Sequence, residues 1–542
     1  MIKRTLLGVA IAALALGTFG ATSQDAKASD DNTLIIGTMW ESQPLAMKPR
    51  RSRFFNESEI LDTLVKLDYD LKPIPGLATS WERVSPTVWR FNLRENVVFH
   101  DGTKLDAEAV KFSLERVVAL LPYAADLLNI KSMTAVSPLV LEIENTEPYA
   151  ALPNQLTDAI TVVYAKSSFD EAGEFVKPVG TGPWKFEEYR KQDRTIVTRF
   201  DGYWGEKPAL EKIVYRYIPD HNSRTLALEA GEIDFVTNML PSDVKRLSKD
   251  ADFKVYEQPT SGLYYGAFNA GDKSPLSDVR IRRAVNALVD RNLIVEGALD
   301  GIGEPAWEFF APEFDWAPQA DSKYSLNPER AASLLTDAGY KKADGKWTKD
   351  GEQLTLRILS YTSRTEMPMI TEAMAALLNQ QGIATDVQMY TWGGMLDLVK
   401  RGEYDISVVF WTPEMTGHPD LHLKSQFHSK AGLNYQFWEN TEFDAAVDTG
   451  RTLDAGTEKD ATYKKAMNIL HDDAPIIPPR PRVLRAIAFI RPASSSISKT
   501  FRSNLHCSTS GQCRGWFSSF SQHRNEPTDG NLPFYKSDQG GG

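Results

Sequence analysis

Hydrophobic residues follow two different periods along the chain, and the two periods alternate. Strand-like patterns occur at Thr33–Thr38, Thr87–Arg94, Leu139–Glu144, Ile213–Tyr217, Leu263–Asn269, Leu354–Leu359, Ile383–Met389 and Tyr404–Phe410. Helical patterns occur at Glu59–Leu67, Asp106–Val118, Arg224–Ala230, Ser277–Val289, Asn327–Tyr340 and Met367–Gln380. Strands and helices that alternate at this spacing pair in parallel, so the second half of the chain predicts an α/β fold.

The first half contains sharp local signals. Trp89, Phe91 and Leu93 alternate with polar residues, which predicts a strand with one buried face. Asp106 stands at the start of a helical pattern, where its side chain is expected to cap the helix.

Turn signals are densest between Pro178 and Val236. This stretch reads PVGTGPWKFEEY, then DGYWGEKPALEKIVYRYIPD, then SRTLALEAGEIDFV. A glycine-rich turn at Gly180–Pro183 leads into an alternating segment, and Asp201–Gly205 forms a compact turn before the next strand pattern. The residues themselves predict a packed scaffold rather than a reactive centre.

Met1–Ala28 has the features of a cleavable signal peptide. Lys3 and Arg4 are charged, Leu6–Leu16 is apolar, and Ala26–Ala28 supplies a small-x-small cleavage pattern. The apolar run is too short to span a bilayer, and no cysteine follows it for lipid attachment. We therefore expect a soluble protein that is secreted to the periplasm.

Composition narrows the class of protein and its partners. The 542-residue chain is long enough for two or three domains, and 42% hydrophobic with 25% charged residues is typical of a soluble globular protein. A net charge of −11 argues against nucleic acid or anionic lipid as the main partner. The two cysteines, Cys507 and Cys513, are both near the C-terminus, so the main body depends on its core rather than on disulfides.

Several motifs occur in an order that resembles a known family. They are FHDGTKLDAEAVKFSLER at 99–116, GTGPW at 180–184, YWGEKP at 203–208, GEID at 231–234, and a D-x-R, A-x-N, D-R pattern within 278–291. Together they resemble the extracytoplasmic solute-binding proteins of peptide, opine and nickel ABC importers (family 5). The resemblance covers roughly Thr33 to Pro478.

The resemblance implies an α/β fold of the two-lobed periplasmic binding protein type, in its large class II (cluster C) form with an extra small domain in lobe I. Residues 29–60 and 180–262, with 479–490 returning, would form lobe I, residues 61–179 the small domain, and residues 263–478 lobe II. It further implies a monomer without enzymatic activity or cofactor. Such a protein captures a small peptide or peptide-like solute between its lobes and delivers it to an inner-membrane ABC permease with its ATPase.

The same resemblance places the ligand at the end of the strand Tyr404–Phe410. Trp411 follows this strand, and the loop after it resembles the family's W-T…D-P-D segment. In dipeptide-binding members an acidic residue of this loop takes the peptide's ammonium group, for which Asp420 is the nearest match and Glu414 a second candidate. Arg364 stands where the family has an arginine that takes the carboxylate; a buried zwitterion needs both charges paired. These charges can instead be solvated loop residues, and Trp411 an aromatic that packs between the lobes.

Two other functions fit parts of the sequence. A nickel or opine chelate is an alternative ligand within the same family, and His418, His422 and His428 are close in sequence. Pro419 prevents one helix from presenting the first two histidines together, so ordinary loop histidines are favoured over a metal site. A secreted hydrolase is a weaker alternative, because the sequence lacks a G-x-S-x-G elbow, a P-loop and a C-x-x-C pair.

The C-terminal segment differs from the rest of the chain. Between Ala474 and Asn525 there is no Asp or Glu, and the family resemblance fades after about Arg482. We expect residues 483–542 to be a frameshifted or otherwise replaced C-terminus. The alternative is a divergent native tail closed by a Cys507–Cys513 disulfide.

Overall fold

A computed structural model describes residues 32–41, 58–68, 70–120, 122–236, 239–255, 257–259, 262–303, 305, 308–310, 314–318, 325–412, 415–477 and 484–486. The predicted signal peptide, Glu414 and both cysteines lie outside these residues. No helix in the described ranges combines the length and the apolar character that a membrane span requires.

The described strands and helices alternate along most of the chain. The strands are β1 (Thr33–Thr38), β2 (Val65–Leu67), β3 (Pro73–Pro75), β4 (Ala78–Ser85), β5 (Val88–Leu93), β6 (Ile130–Ser137), β7 (Val140–Asn145), β8 (Trp184–Arg190), β9 (Arg194–Arg199), β10 (Lys212–Tyr217), β11 (Phe235–Val236), β12 (Glu257–Pro259), β13 (Leu263–Phe268), β14 (Lys341–Ala343), β15 (Lys346–Lys349), β16 (Glu352–Gln353), β17 (Thr355–Tyr361), β18 (Ala384–Tyr390), β19 (Ile406–Trp411), β20 (Ile476–Ile477) and β21 (Leu484–Ala486). The α-helices are α1 (Ala107–Leu120), α2 (Pro122–Leu128), α3 (Leu152–Gln155), α4 (His221–Glu229), α5 (Pro241–Leu247), α6 (Val279–Leu288), α7 (Arg291–Ala298), α8 (Pro328–Asp337), α9 (Glu366–Gln380), α10 (Trp392–Lys400), α11 (Asp420–His422), α12 (Thr441–Thr452) and α13 (Thr457–Asp473). A single π-helical turn, Leu423–Phe427, follows α11 directly.

Lobe I is built on a five-stranded sheet with the order β11-β1-β10-β9-β8. The predicted first strand is confirmed, and it pairs in parallel with β10 and β11. Its alternating pattern buries Leu34 and Ile36, which pack in one core with Trp184 and Ile213. The first strand of the chain is thereby fixed between two elements of the Pro178–Val236 stretch.

The small domain is built on a four-stranded antiparallel sheet with the order β4-β5-β7-β6. Trp89, Phe91 and Leu93 are buried on one face of β5, as their alternation predicts. The predicted cap is also confirmed, because the Asp106 carboxylate accepts a hydrogen bond of 2.8 Å from the amide of Ala109.

Lobe II is built on a five-stranded sheet with the order β18-β17-β19-β13-β20. The predicted parallel pairing is confirmed for β17 with β18 and with β19. In contrast, β13 pairs antiparallel with β19 and with β20, so the sheet is mixed. This sheet and the helices around it enclose the largest apolar core among the described residues.

Two short strands form a separate two-stranded sheet. The strand β12 lies just before β13, and β21 lies after β20. These two strands pair antiparallel with each other, Glu257 opposite Ala486 and Pro259 opposite Leu484.

The glycine-rich turn Gly180–Pro183 joins the small domain to lobe I. A Cβ atom at Gly180 would lie 2.1 Å from the carbonyl oxygen of Ile60, and one at Gly182 would lie 2.0 Å from that of Glu59. The Thr181 hydroxyl donates a hydrogen bond of 2.9 Å to Asp62. Only glycine allows this close backbone approach, so the turn is structural, as its residues predict.

The helix predicted at Glu59–Leu67 is wrong. Glu59 has a positive φ of 54°, and the segment ends in β2, which pairs with β3. Its carbonyl groups bond to distant amides rather than to the next turn: Ile60 accepts from Gly182, and Leu64 from Ala78. Tertiary hydrogen bonds therefore override the apolar spacing that indicated a helix.

Candidate functional site

The carboxyl ends of β17 and β19 meet at one edge of the lobe II sheet. Because these strands are parallel, Arg364, just beyond β17, and Trp411, the last residue of β19, lie at the same edge. The guanidinium carbon of Arg364 is 3.8 Å from the centre of the Phe410 ring and 5.9 Å from that of Trp40. Trp40 follows β1 of lobe I, so the group spans both lobes. We call Trp40, Arg364 and Phe410 the cleft cluster; Trp411 follows Phe410 in β19, so its side chain lies on the opposite face of the strand.

Arg364 carries an available positive charge in this cluster. Its side chain is half-buried, and among the residues that the structure describes it contacts aromatic rings and forms no ion pair. A guanidinium that stacks on aromatic faces keeps its planar fork of donors free, and that fork matches a carboxylate.

Trp411 is held by a buried histidine. Its indole Nε1 donates a hydrogen bond of 2.9 Å to Nδ1 of His422, and the two rings meet edge to face with centroids 5.8 Å apart. The other ring nitrogen of His422 lies 3.1 Å from the carbonyl oxygen of Thr412. The indole is therefore fixed at the sheet edge with its ring half-buried.

Asp420 lies in a buried contact between lobe II and the small domain. Its Oδ1 is 3.0 Å from Nε of Arg451, and the two side chains are only 2% and 7% exposed. Its Oδ2 is 3.0 Å from the hydroxyl of Tyr149, a residue of the small domain. A ligand's ammonium group would have to displace Arg451 to pair with this carboxylate. Ligand binding by Asp420 stays a prediction.

The charges of this contact affect one another's pKa values. Burial, reinforced by the Asp420 carboxylate, raises the pKa of Tyr149 well above its usual value. Burial by itself would lower the pKa of Arg451, but Asp420 and Tyr149 outweigh burial and raise it. Arg451 is therefore a permanent cation that neutralises Asp420.

Further polar contacts surround this ion pair. The amide of Ala150 donates to the carbonyl of Arg451 at 2.8 Å, and the Asn154 side chain donates to the carbonyl of Thr416 at 3.0 Å. At the rim, Arg83 pairs with Asp454 at 2.7 Å. The small domain is thus docked on the segment of lobe II that follows Trp411.

The three histidines considered as metal ligands, His418, His422 and His428, each contact other groups of the protein. Nδ1 of His418 accepts from the amide of Asp420 at 3.2 Å, and burial lowers the pKa of His418 well below its usual value. Nε2 of His428 lies 3.3 Å from Asp448. In the described part of the chain, no group of three or more His, Cys, Asp or Glu residues could hold a metal ion.

Of the four predicted site residues, two lie at the same edge of the lobe II sheet. Arg364 belongs to the cleft cluster, and Trp411 ends the neighbouring strand β19. Asp420 lies in the ion pair with Arg451, and Glu414 lies outside the described residues. Trp40 was missed, although the signal that indicates Trp411, a tryptophan just after a buried strand, occurs there as well. His422 carries no sequence signal for its role, because its hydrogen bond to Trp411 depends on the fold of the intervening loop.

Comparisons with known proteins place this geometry in context. The family described as Bacterial extracellular solute-binding proteins, family 5 Middle, matches residues 72–434. The Dipeptide-binding protein of Escherichia coli (strain K12) is 28% identical over 438 residues, which cover 74% of this chain and 80% of that protein. The Nickel-binding periplasmic protein of the same strain is 25% identical over 476 residues, covering 82% and 88%.

A solved structure shares the fold. NikA from Brucella suis, in complex with Fe(III)-EDTA, is 26% identical and superposes with a TM-score of 0.77. The match covers 85% of this chain and 95% of that one. The two-lobed α/β architecture predicted from the sequence is therefore confirmed.

Proposed function

Because the chain belongs to the bacterial extracellular solute-binding proteins, family 5, we propose that it captures a small peptide or peptide-like solute in the cleft between its lobes. The captured solute would then be delivered to an inner-membrane ABC permease with its ATPase. Proteins of this family bind solutes and are not enzymes, so a secreted hydrolase is set aside.

The observation that carries the peptide assignment is the state of Arg364. Its guanidinium stacks on Phe410 at 3.8 Å and forms no ion pair with any described residue. A half-buried cation that has no ion-pair partner can take a ligand's opposite charge without breaking an existing pair. A peptide's carboxylate fits the donor fork of Arg364, while Trp40, Phe410 and Trp411 supply apolar walls.

A metal chelate is the second candidate, and a specific observation favours it. One relative is named a nickel-binding periplasmic protein, and the superposed NikA structure holds Fe(III)-EDTA, a chelate rich in carboxylates. Arg364 would take a chelate carboxylate as readily as a peptide carboxylate. In this alternative the chelator supplies the metal ligands, since the described histidines are engaged elsewhere.

The experiment that separates these candidates starts with the mature protein as purified. Native mass spectrometry identifies any co-purifying organic ligand, and elemental analysis of the same sample measures bound metal. Titration calorimetry then compares Ala-Ala with its C-terminal amide. If the protein binds peptides, Ala-Ala should bind, and elemental analysis should find no metal in stoichiometric amount. Metal bound together with a chelator, without affinity for peptides, would support the second candidate. If the protein binds neither a peptide nor a metal chelate, both candidates are overturned.

Arg364 is tested by replacement with methionine, which keeps the length of the side chain and removes its charge. Because hydrogen bonds to charged groups contribute about 1.5–3 kcal/mol, Ala-Ala should bind about 10- to 100-fold more weakly. Its amide should bind the variant and the parent protein equally. Arg401→Met is the matched control, since Arg401 is exposed on lobe II and pairs only with Glu403 among the described residues. Equal losses in both variants would contradict the role of Arg364.

We also propose the domain bounds that the sequence indicates: residues 29–60, 180–262 and 479–490 for lobe I, 61–179 for the small domain, and 263–478 for lobe II. The pairing of β12 with β21 supports two neighbouring crossings between the lobes.

The family is extracytoplasmic, and we propose export to the periplasm by cleavage after Ala28, with the mature protein a monomer. N-terminal sequencing and light scattering of the exported protein test both statements.

A further inference from the structure

The hydrogen-bonding capacity of Trp411 is fully used by the protein itself. An indole has one polar hydrogen, and that hydrogen is donated to Nδ1 of His422 at 2.9 Å. Since an indole nitrogen can only donate, Nδ1 carries no proton, and the proton of the neutral imidazole must lie on Nε2. Nε2 then donates to the carbonyl of Thr412 at 3.1 Å. One imidazole thereby fixes the side chain of residue 411 and the main chain of residue 412.

His422 is itself held firmly in lobe II. It is only 1% exposed and ends α11, at the junction with the π-helical turn Leu423–Phe427. The ring of Phe309 packs edge to face against it with centroids 6.4 Å apart. The side-chain amide of Gln426, within the π-helical turn, lies 3.1 Å from Nδ1. A ring held from these directions can orient the indole it bonds to.

We propose that His422 is a positioning residue for ligand binding, which holds the Trp411 indole so that its π face, rather than its N–H group, meets the ligand's ammonium group. This proposal rests on the proposed capture of a peptide. Two observations favour an ammonium partner. Arg364 at the same sheet edge accounts for the carboxylate, and the Asp420 carboxylate is already neutralised by Arg451. A tryptophan face attracts a cation strongly when water is excluded, and it offers no hydrogen-bond donor to a carboxylate.

The positioning role is tested with two variants. His422→Phe keeps a ring and removes the acceptor, whereas His422→Asn keeps an acceptor oxygen close to the position of Nδ1. In a ¹⁵N–¹H spectrum of tryptophan-labelled protein, Trp411→Phe assigns the Trp411 indole signal among the twelve tryptophans. His422→Phe should shift that signal and speed its exchange with water, and His422→Asn should restore it. An unshifted signal in a folded His422→Phe protein would overturn the positioning role, whether or not any peptide binds.

The effect on binding is tested with Ala-Ala and N-acetyl-Ala-Ala as probes. Loss of the indole hydrogen bond should weaken Ala-Ala binding about 10-fold in His422→Phe, the scale of one hydrogen bond, with recovery in His422→Asn. In a Trp411→Phe background the same histidine change should alter affinity less than 2-fold, because the residue acts through the indole. N-acetylation, which removes the charge, should weaken binding to the parent protein. Equal affinity for the two probes would overturn the ammonium assignment, while failure of Ala-Ala to bind the parent protein would refute the peptide function instead.

Discussion

Replacing Arg451 with methionine should destabilise the protein strongly, because the change leaves Asp420 charged, buried and without its partner. The Arg451 guanidinium carbon lies 4.7 Å from the centre of the Tyr149 ring, and methionine keeps most of the length of the side chain that reaches this ring. The variant therefore removes the charge while preserving much of the volume. The expected cost comes from the carboxylate that remains.

The size of this cost follows from burial and geometry. The Asp420 side chain is 2% exposed and the Arg451 side chain 7% exposed, so water cannot replace the lost guanidinium. Removing one partner of such a pair costs about 3–5 kcal/mol. The Tyr149 hydroxyl stays within 3.0 Å of Asp420, and the Nε–Oδ1 contact of 3.0 Å lacks good hydrogen-bond alignment. Both facts favour the lower end, about 3 kcal/mol.

Urea unfolding followed by circular dichroism and by tryptophan fluorescence measures this loss. Arg451→Met combined with Asp420→Asn should recover most of the stability, because no unpaired charge then remains. The deficit of Arg451→Met alone should also shrink as the pH falls, since an unpaired buried carboxylate takes up a proton more readily in the folded than in the unfolded chain. Arg401→Met, at an exposed ion pair, is the control and should leave the midpoint unchanged. A loss below about 1 kcal/mol in Arg451→Met, or additive losses in the double variant, would refute the assignment of Asp420 to a buried ion pair.

Two further predictions concern the glycine-rich turn and its surroundings. Burial lowers the pKa of His100 to about 4, and its Nε2 lies 2.9 Å from the carbonyl oxygen of Gly182. Between these pH values the unfolded chain therefore binds a proton that the folded chain does not, so the free energy of unfolding should fall by up to about 3 kcal/mol as the pH drops from about 6.5 to about 4. Urea titrations at several pH values measure this dependence, and His100→Gln should reduce it. An unchanged pH dependence in the variant would contradict the lowered pKa of His100. Gly182→Ala should destabilise the protein because its Cβ would lie 2.0 Å from the carbonyl oxygen of Glu59. In contrast, Gly297→Ala in helix α7, with open space around it, should stabilise the protein by up to about 1 kcal/mol, and equal melting shifts in both variants would refute the steric argument.

The sequence predicts most of the fold because most segments carry local and tertiary signals that agree. In β5 the alternation of Trp89 and Phe91 matches the face that the sheet buries, and Asp106 caps the helix that it precedes. The Glu59–Leu67 segment fails because its apolar spacing suits a helix while its carbonyl groups bond to distant amides. No local pattern reports such hydrogen bonds. The antiparallel pairing of β13 with β19 is hidden for the same reason, since strand direction depends on how the chain enters lobe II.

The candidate site residues also differ in how far local sequence signals could place them. Trp411 could be placed at the sheet edge from the sequence because it follows a buried strand, whereas Arg364 was indicated by the family resemblance. Both lie at one edge because the ends of parallel strands share it. The environment of Asp420 could not be placed from the sequence, because it depends on Arg451, which reaches it from a different helix, and on Tyr149, which reaches it from another domain. Asp420 is the nearer match to the family's acidic residue and Glu414 the second candidate, yet only the fold shows that Arg451 already pairs with Asp420. An acidic residue in this loop is therefore a ligand candidate only after the arginines of the following helices have been placed.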